Sequence, residues 1–364
     1  MSEQPSVLRR VALSLQNIAK LLVFLYTALL IILSVAWLVA PQATWWLSMS
    51  YVLAPNFFIL APFVFLFTLF NRSKPFIIAS GLIIVLYLAQ FGSYLVPPSQ
   101  QNVRSQSSLE VVSFNQLFTN RTGEETLAYI KSLDVDFIAI QEMSRGLAKG
   151  IEEDQEIQQR YPYQILRPAD SAAGQAILSR IPFTDMGMKN PDLRLQAVQF
   201  MHGDEVVTLL NVHFSAPQLI MTQVHDYPTP LGKIPLIKDL PLLNNYDTSN
   251  RNRSMEALIE LVDQLEGNLL VVGDLNTPDR DPIYAPLAER MTDVYAATNW
   301  GYGFTYPNRS FWNALHFNMP LPLVRLDYVW IRGGFLHALS SRVDCSPLSS
   351  DHCAVIAEIG LGVD

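Results

Sequence analysis

Hydrophobic patterning splits the chain into two stretches of different kind. From Leu21 to Ala40 runs LLVFLYTALLIILSVAWLVA, twenty residues without a charge. At 1.5 Å per helical residue this run matches the roughly 30 Å hydrocarbon core of a bilayer. A secretory signal has a shorter apolar core of about 7 to 15 residues, and here two more apolar runs follow, Trp45 to Phe70 and Pro75 to Val96. Pro55 and Pro62 interrupt the second, which a spanning helix tolerates where neighbours satisfy the freed carbonyls. The third ends at Pro97-Pro98, a stop signal for a helix. Residues 1–97 are therefore predicted to form an all-α transmembrane region of about three helices, over 21–40, 45–70 and 75–96.

Beyond a polar linker at 98–107 the pattern changes to short apolar strands alternating with amphipathic stretches. Strands are expected at Leu109–Phe114, Asp136–Ile140, Gln175–Leu178, Val206–Val212, Leu269–Val272, Leu326–Ile331 and Cys353–Ile359. Helices are expected at Gly123–Leu133, Leu147–Gln159 and Ser254–Leu265. Strands this numerous, without regular βα alternation, predict a mixed or mainly antiparallel layered α/β domain over 108–364.

Composition sharpens the division. Of 364 residues, 50% are hydrophobic and 16% charged, against about 25% charged in globular proteins, which excludes a disordered or coiled-coil chain. Residues 1–100 hold one acid, Glu3, and five bases, Arg9, Arg10, Lys20, Arg72 and Lys74; the remainder carries 32 acids and 20 bases, a net −12. Because cytoplasmic loops are enriched in Lys and Arg, the bases before span one and between spans two and three put the N-terminus in the cytoplasm. Three spans then leave the C-terminal domain exoplasmic, which in a two-membrane bacterium means an inner-membrane, multi-pass protein with a periplasmic domain. A re-entrant second run would reverse that parity. Cys345 and Cys353 are too few for a disulfide scaffold or a Cys-ligated zinc site. They lie in segments expected to pair, and both a disulfide and two buried thiols are open to them.

Polar residues stand at the ends of the apolar strands, where a layered domain exposes its site. VVSF ends in Asn115, FIAIQ in Glu142, LLVVG in Asp274 and Asn276; VRL leads into Asp327, NV precedes His213, and Asp351-His352 opens the last strand. A single strand-end Asp or Asn is more often a cap or turn residue, but this many in one domain point to chemistry. Glu, Asp and Asn oxygens without cysteine suit a hard cation such as Mg²⁺ or Mn²⁺. A His beside an Asp suits acid–base work, and Asn or His donors suit a phosphoryl group gaining charge. Together these parts describe metal-assisted attack of water on a phosphoester.

The strings SFNQ, IAIQE, GQAILSR, NVHFSAP, VVGDLN, RLDYVW and SSDH, in that order over about residues 108–361, resemble the endonuclease/exonuclease/phosphatase superfamily. The resemblance implies a deoxyribonuclease-I-like four-layer α/β sandwich. It implies Glu142 as the principal metal carboxylate, with Asn115 beside it and Asp351 completing the site. Asp274 would position or deprotonate water, Asn276 would bind the scissile phosphate with Asn115 nearby, and His352, oriented by Asp327, would be the second acid–base or phosphate-binding group. His213 would contact the phosphate. One departure is Leu117, where some repair-nuclease members carry an acid two positions after the Asn, so metal binding should lean on Glu142 and Asp351.

Substrate class divides the expectations. NVHFSAP resembles the nuclease branch, yet a net −12 opposes the Lys/Arg neutralisation that drives generic nucleic-acid binding. Membrane tethering would favour a lipid headgroup, and the apolar strings KIPLIKDLPLL and FWNALHFNMPLPL could form a lid or touch a bilayer. A non-catalytic binding protein retaining the fold is the third alternative; no protein partner can be inferred. Arg251 and Arg253, before a helix, could steer an anion or simply be solvated. His202, His225, His316 and His337 read as surface or loop residues, and Gly174 as serving a tight approach into the AILSR strand.

Overall fold

The computed structural model describes residues 7–71, 74–98, 105, 107–223, 241–308, 321–346 and 349–362. Most of the linker, the two apolar strings other than their last residues, His225 and His316 lie outside the described residues. The chain separates into two compact units, Met1–Val96 and Pro97–Asp364.

The N-terminal unit contains α1 (Val7–Val39), α2 (Trp45–Val52), α3 (Ala54–Phe57), α4 (Ala61–Asn71) and α5 (Lys74–Phe91). Two stretches are long and apolar enough to cross a membrane, Ser14–Val39 with 26 residues and Lys74–Leu95 with 22. The second predicted span is not straight: Trp45–Val52 and Ala54–Phe70 meet at 77°. Pro55 sits at the start of α3 and cannot continue α2, because its ring fixes φ and removes a donor. Polar contacts hold the break. Tyr26 Oη donates to Phe57 O at 2.7 Å, Trp37 Nε1 donates to Ser50 Oγ at 3.1 Å, and Thr68 and Ser80 hydroxyls meet at 2.8 Å. Such bonds satisfy polar groups on otherwise apolar helices.

The C-terminal unit has fourteen described strands: β1 (Ser107–Asn115), β2 (Phe137–Gln141), β3 (Tyr163–Arg167), β4 (Gln175–Ser179), β5 (Phe183–Asp185), β6 (Arg194–His202), β7 (Glu205–His213), β8 (Gln218–Gln223), β9 (Pro241–Asp247), β10 (Asn268–Asp274), β11 (Thr292–Asp293), β12 (Asp327–Arg332), β13 (Leu336–Asp344) and β14 (Ala354–Leu361). Its helices are α6 (Glu124–Ser132), α7 (Arg145–Glu153), α8 (Gln155–Arg160), α9 (Ser249–Gln264), α10 (Ala285–Ala288) and α11 (Val294–Thr298). One sheet runs β13-β14-β1-β2-β4-β3, the other β11-β12-β10-β7-β6-β5, and β8-β9 form a separate ribbon.

Strand alternation builds the layers. In β10, Leu270 and Val272 face the first sheet's Val111, Phe137, Ala139 and Ile177, while Leu269 and Val271 face Leu258, Leu261 and Val262 of α9. On the far side of the first sheet, Val112, Ile138 and Ile140 pack with Ile130, Leu147, Ile151 and Ile157 of α6, α7 and α8. A period of two thus sends alternate residues to two cores, and the result is a four-layer α/β/β/α sandwich with mixed sheets, as the motifs implied.

Two predicted helices differ in detail. Leu147–Gln159 is two helices, because the Asp154 carboxylate accepts the N–H groups of Glu156 and Ile157 and caps a new start. The helix expected from Ser254 begins at Ser249. Strands β3, β5, β6, β8, β9 and β11 lie outside the predicted runs, whereas β13, which ends beside Cys345, pairs with β14, which follows Cys353, as expected of those two segments. β13 reads LHALSSRVD, a sheet-edge strand whose polar residues hide its period.

Candidate active site

The sheets deliver functional side chains in register. Parallel pairing sets His213 opposite Asp274, and antiparallel pairing sets Asp274 opposite Asp327, so the ends of β7, β10 and β12 form one row. In the other sheet Asn115 pairs with Gln141, immediately before Glu142. Close strand approach at this end depends on Gly273, where a Cβ would lie 1.8 Å from Val212 O. Gly174 has the role expected of it: a Cβ there would meet Met143 O at 2.0 Å.

Among the described residues, the non-glycine positions with positive φ are Leu117 (66°), Glu142 (56°) and Asn276 (46°). This conformation costs of order 1–3 kcal/mol each and persists only where surroundings impose it. Here Glu142 Oε2 accepts the Phe118 N–H at 3.0 Å, Asn115 Oδ1 accepts the Leu117 N–H at 3.0 Å, and Asp274 Oδ1 accepts the Asn276 N–H at 2.8 Å.

The side chains converge. Asn115 Nδ2 donates to Asp274 Oδ2 at 3.0 Å and to Glu142 Oε1 at 3.3 Å. His213 Nδ1 lies 2.9 Å from Ala172 O; a carbonyl only accepts, so Nδ1 holds the proton and Nε2 turns its lone pair inward, 3.7 Å from both Glu142 Oε1 and Asp274 Oδ2. His352 Nδ1 donates to Asp327 Oδ2 at 2.9 Å, and its Nε2 is 3.7 Å from Asp274 Oδ2. Asn276 Nδ2 is directed at Phe214 O (3.1 Å) and Asp274 Oδ2 (3.3 Å), so the amide expected to grip phosphate is here part of the Asp274 cage. Asp351 stands half-buried next to His352, outside the tight group formed by Asp274, Asp327 and His352, whose donor atoms lie within 4.8 Å of one another.

Burial sets the protonation states in opposite directions. It pushes Asp274 up to about 7, with Asp327 adding to the rise while His352, Asn276 and Asn115 oppose it. His213 is pulled down to about 3 by burial and by the Arg194 charge, and stays neutral. For His352 burial acts downward, but the Asp327 and Asp274 carboxylates outweigh it and hold the imidazolium well above its ordinary range. The site therefore presents a neutral histidine, a charged histidine and a carboxylate poised near neutrality.

The donor set fits a hard divalent cation. Its ligands are oxygens with an imidazole nitrogen nearby and no thiolate. Among the described residues Glu142 Oε1 receives one long bond, from Asn115, and the buried Asp327 Oδ1 has no hydrogen-bond partner. A cavity of about 560 Å³, lined in part by Phe118, Arg121, Ser144 and Arg145, adjoins the Phe118 N–H that anchors Glu142.

Several residues around the site carried no sequence signal: Thr305, Tyr306 and Asn308, together with Ser350 inside the quoted SSDH string. The Tyr306 ring lies 4.9 Å from that of His352. Thr305 Oγ1 accepts the Leu326 and Asp327 N–H groups at 3.0 and 3.3 Å. Arg251 proves to be buried and paired with Asp281 at 2.6 Å, neither solvated nor available to steer an anion; Arg253 is exposed, 3.8 Å from Asp192. His202 bonds Ser107 Oγ at 2.8 Å. Cys345 and Cys353 form a disulfide, resolving the two possibilities the sequence left open.

No curated protein matches the chain. Solved structures similar to it include humanized D. rerio TDP2 carrying 14 mutations (13% identity, 69% of this chain and 98% of that one, TM-score 0.48). Others are truncated Caenorhabditis elegans TDP2 (18%, 70% and 98%, 0.46) and an endonuclease/exonuclease/phosphatase family protein from Bacteroides thetaiotaomicron (15%, 70% and 97%, 0.48). The strand-end carboxylates and imidazoles, from Asn115 to His352, stand on a matched stretch, residues 100–352, that is more than two thirds of the sequence, and the chain belongs to the Endonuclease/Exonuclease/phosphatase family, a phosphoesterase type of hydrolase.

Proposed function

We propose that this protein is a membrane-anchored, divalent-metal-dependent phosphodiesterase of nuclease-like type. The observation that carries the reading is the pair formed by Asp274 and His352, an acid near neutrality 3.7 Å from an imidazolium. Asp274 accepts a proton from the attacking water, held in orientation by the Asn115 and Asn276 amides. His352, its ring fixed through Nδ1 by Asp327, presents the Nε2 proton to a non-bridging or leaving oxygen as charge develops. His213, neutral and anchored to Ala172 O, lines the phosphate side. Glu142 and Asn115, with Asp351 as a further carboxylate, would hold Mg²⁺ or Mn²⁺. Such an ion supplies Lewis-acid polarisation of a phosphoryl oxygen.

Membrane anchoring rests on the apolar helices of residues 14–39 and 74–95. The Cys345–Cys353 disulfide favours an oxidising compartment, in keeping with basic residues that favour a cytoplasmic N-terminus; the bent α2–α4 segment would then complete the second crossing. A reporter fused after residue 97 and scored for exoplasmic activity tests this.

A lipid headgroup is the second reading. It is favoured by Leu219 and Ile220 of β8, solvent-exposed only a few residues beyond His213. The deciding experiment is hydrolysis by the full chain with Mg²⁺ or Mn²⁺ on plasmid DNA, RNA, phospholipid vesicles and small phosphodiesters, beside Glu142→Ala and His352→Ala. Metal-dependent DNA cleavage lost in both variants supports the nuclease-like reading. Cleavage confined to vesicles transfers it to lipid, and inactivity of the unsubstituted chain on every substrate removes it.

A further inference from the structure

The β1–β14 ladder stops short of the catalytic residues it leads to. Its last paired rung is Ser113 with Val355, two residues before Asn115 on one strand and three after His352 on the other. Across that gap lies one hydroxyl. Ser350 Oγ donates to Asn115 O at 2.6 Å and accepts the His352 N–H at 3.0 Å, and the side chain is fully buried.

Other contacts hold the same loop, but to a different neighbour. Cys353 N donates to Thr305 O at 2.8 Å and Asn308 Nδ2 donates to His352 O at 3.1 Å, fixing His352 to the segment at 305–308. Ser350 ties it to β1, whose terminal Asn115 touches both Glu142 and Asp274. We infer that Ser350 is a positioning residue for the hydrolysis proposed above: its hydroxyl sets where the His352 ring stands relative to the Asn115–Glu142–Asp274 side of the site.

Alanine at 350 leaves a buried carbonyl and a buried N–H without partners. The 3.7 Å approach of His352 to Asp274 then loses its tie to β1, and misplacement by about 1 Å can cost on the order of 10²-fold in rate. Threonine keeps the hydroxyl.

The inference rests on the phosphodiesterase reading, and the test separates the two. Hydrolysis of bis(p-nitrophenyl) phosphate by the full chain with Mn²⁺ is measured for the parent, Ser350→Ala, Ser350→Thr, His352→Ala and the Ser350→Ala/His352→Ala double variant, with thermal unfolding of each. Expected are a kcat loss of about 10- to 100-fold in Ser350→Ala with KM within about threefold, recovery in Ser350→Thr, and less than about twofold further loss when Ser350→Ala is added to His352→Ala. Parent-like kcat in Ser350→Ala, or a fully multiplicative loss in the double variant, overturns the positioning role. Should Ser350→Ala fail to fold, the threonine variant decides: folded and inactive, it refutes the inference. A parent chain without metal-dependent hydrolysis instead refutes the reading beneath it.

Discussion

Gln141 Nε2 donates to Asn211 Oδ1 at 2.8 Å, joining β2 of one sheet to β7 of the other beneath the active site. Asn211 Nδ2 faces Gln196 Oε1 and Ala176 O at 3.0 Å and Ile140 O at 3.1 Å, so both amide ends are engaged inside an otherwise apolar layer. The seam lies one residue before Glu142 and two before His213. It fixes how far apart the two halves of the site stand.

Asn211→Ala should therefore destabilise the fold by about 2–4 kcal/mol, since it strands Gln196 Oε1, takes a donor from the Ile140 and Ala176 carbonyls and removes the shortest bond of the Gln141 amide, which keeps only longer ones to Ser113 Oγ and Ala139 O. Asn211→Leu, which fills the volume, should not restore the loss, because the stranded partners remain. Thermal unfolding in detergent measures both; a change of less than about 0.5 kcal/mol would mean that water replaces the amide.

Asp327→Asn keeps the shape of the carboxylate that orients His352 but removes its charge. Activity should fall about 10²- to 10⁴-fold, mostly in kcat. Steady-state kinetics at several pH values would expose the error if KM, and not kcat, carried the loss.

Glu142→Gln should raise the Mg²⁺ or Mn²⁺ concentration needed for half-maximal activity by at least about tenfold, an order-of-magnitude estimate for losing a metal-bound carboxylate. Asp351→Asn, farther from the convergence of side chains, should raise it less. Metal titrations of the two variants compare them directly, and the reverse order would make Asp351 the principal ligand.

Two buried groups give the metal-free protein opposing pH dependences. Asp274 rises from 3.8 to about 7 on folding; the native state holds a proton the unfolded chain releases, so this contribution is complete below pH 3.8 and lost as pH climbs through 7. His213 falls from 6.5 to about 3; the unfolded chain takes up a proton that the native state refuses, and stability drops as pH falls from 6.5 toward 3. Denaturation between pH 4 and 6.5 in EDTA should show stability rising with pH in Asp274→Asn and falling with pH in His213→Gln. Parallel profiles would contradict the assignment.

The Cys345–Cys353 bridge closes a short loop, eight residues apart in sequence, that carries Ser350, Asp351 and His352. Chain-entropy reasoning assigns such a closure about 2–3 kcal/mol. A Cys345→Ser/Cys353→Ser double variant should lose roughly that much stability and, with the loop less confined, most of its activity. Unchanged kinetics after reduction would show that the contacts from residues 305–308 suffice.

The strands nearest the site were legible because each is an apolar run that ends abruptly in a polar residue; Leu269–Val272 and Val206–Val212 are examples, and their ends gave Asp274 and His213. β6 was hidden because Gln196, an inward residue, serves the polar seam. Arg251 was misjudged for a related reason: its partner, Asp281, lies thirty residues away and leaves no local mark. Asn276 was legible as a site residue, but the inward turn of its amide depends on Phe214 O, a tertiary contact. Thr305 and Asn308 act through backbone groups of distant segments and Tyr306 through its ring contact with His352, which no spacing encodes.

Pairing of β1 with β14 has a consequence for the order of synthesis. β1 begins at Ser107, and the strand on its open side is finished only at Leu361. Asn115 and Glu142 leave the ribosome more than two hundred residues before His352. On the proposed roles a nascent chain thus carries no complete catalytic centre for almost the whole of its elongation, and a product truncated before residue 350 is expected to be hydrolytically silent. The proposed hydrolytic activity would then arrive last, well over two hundred residues after the apolar helices have been made.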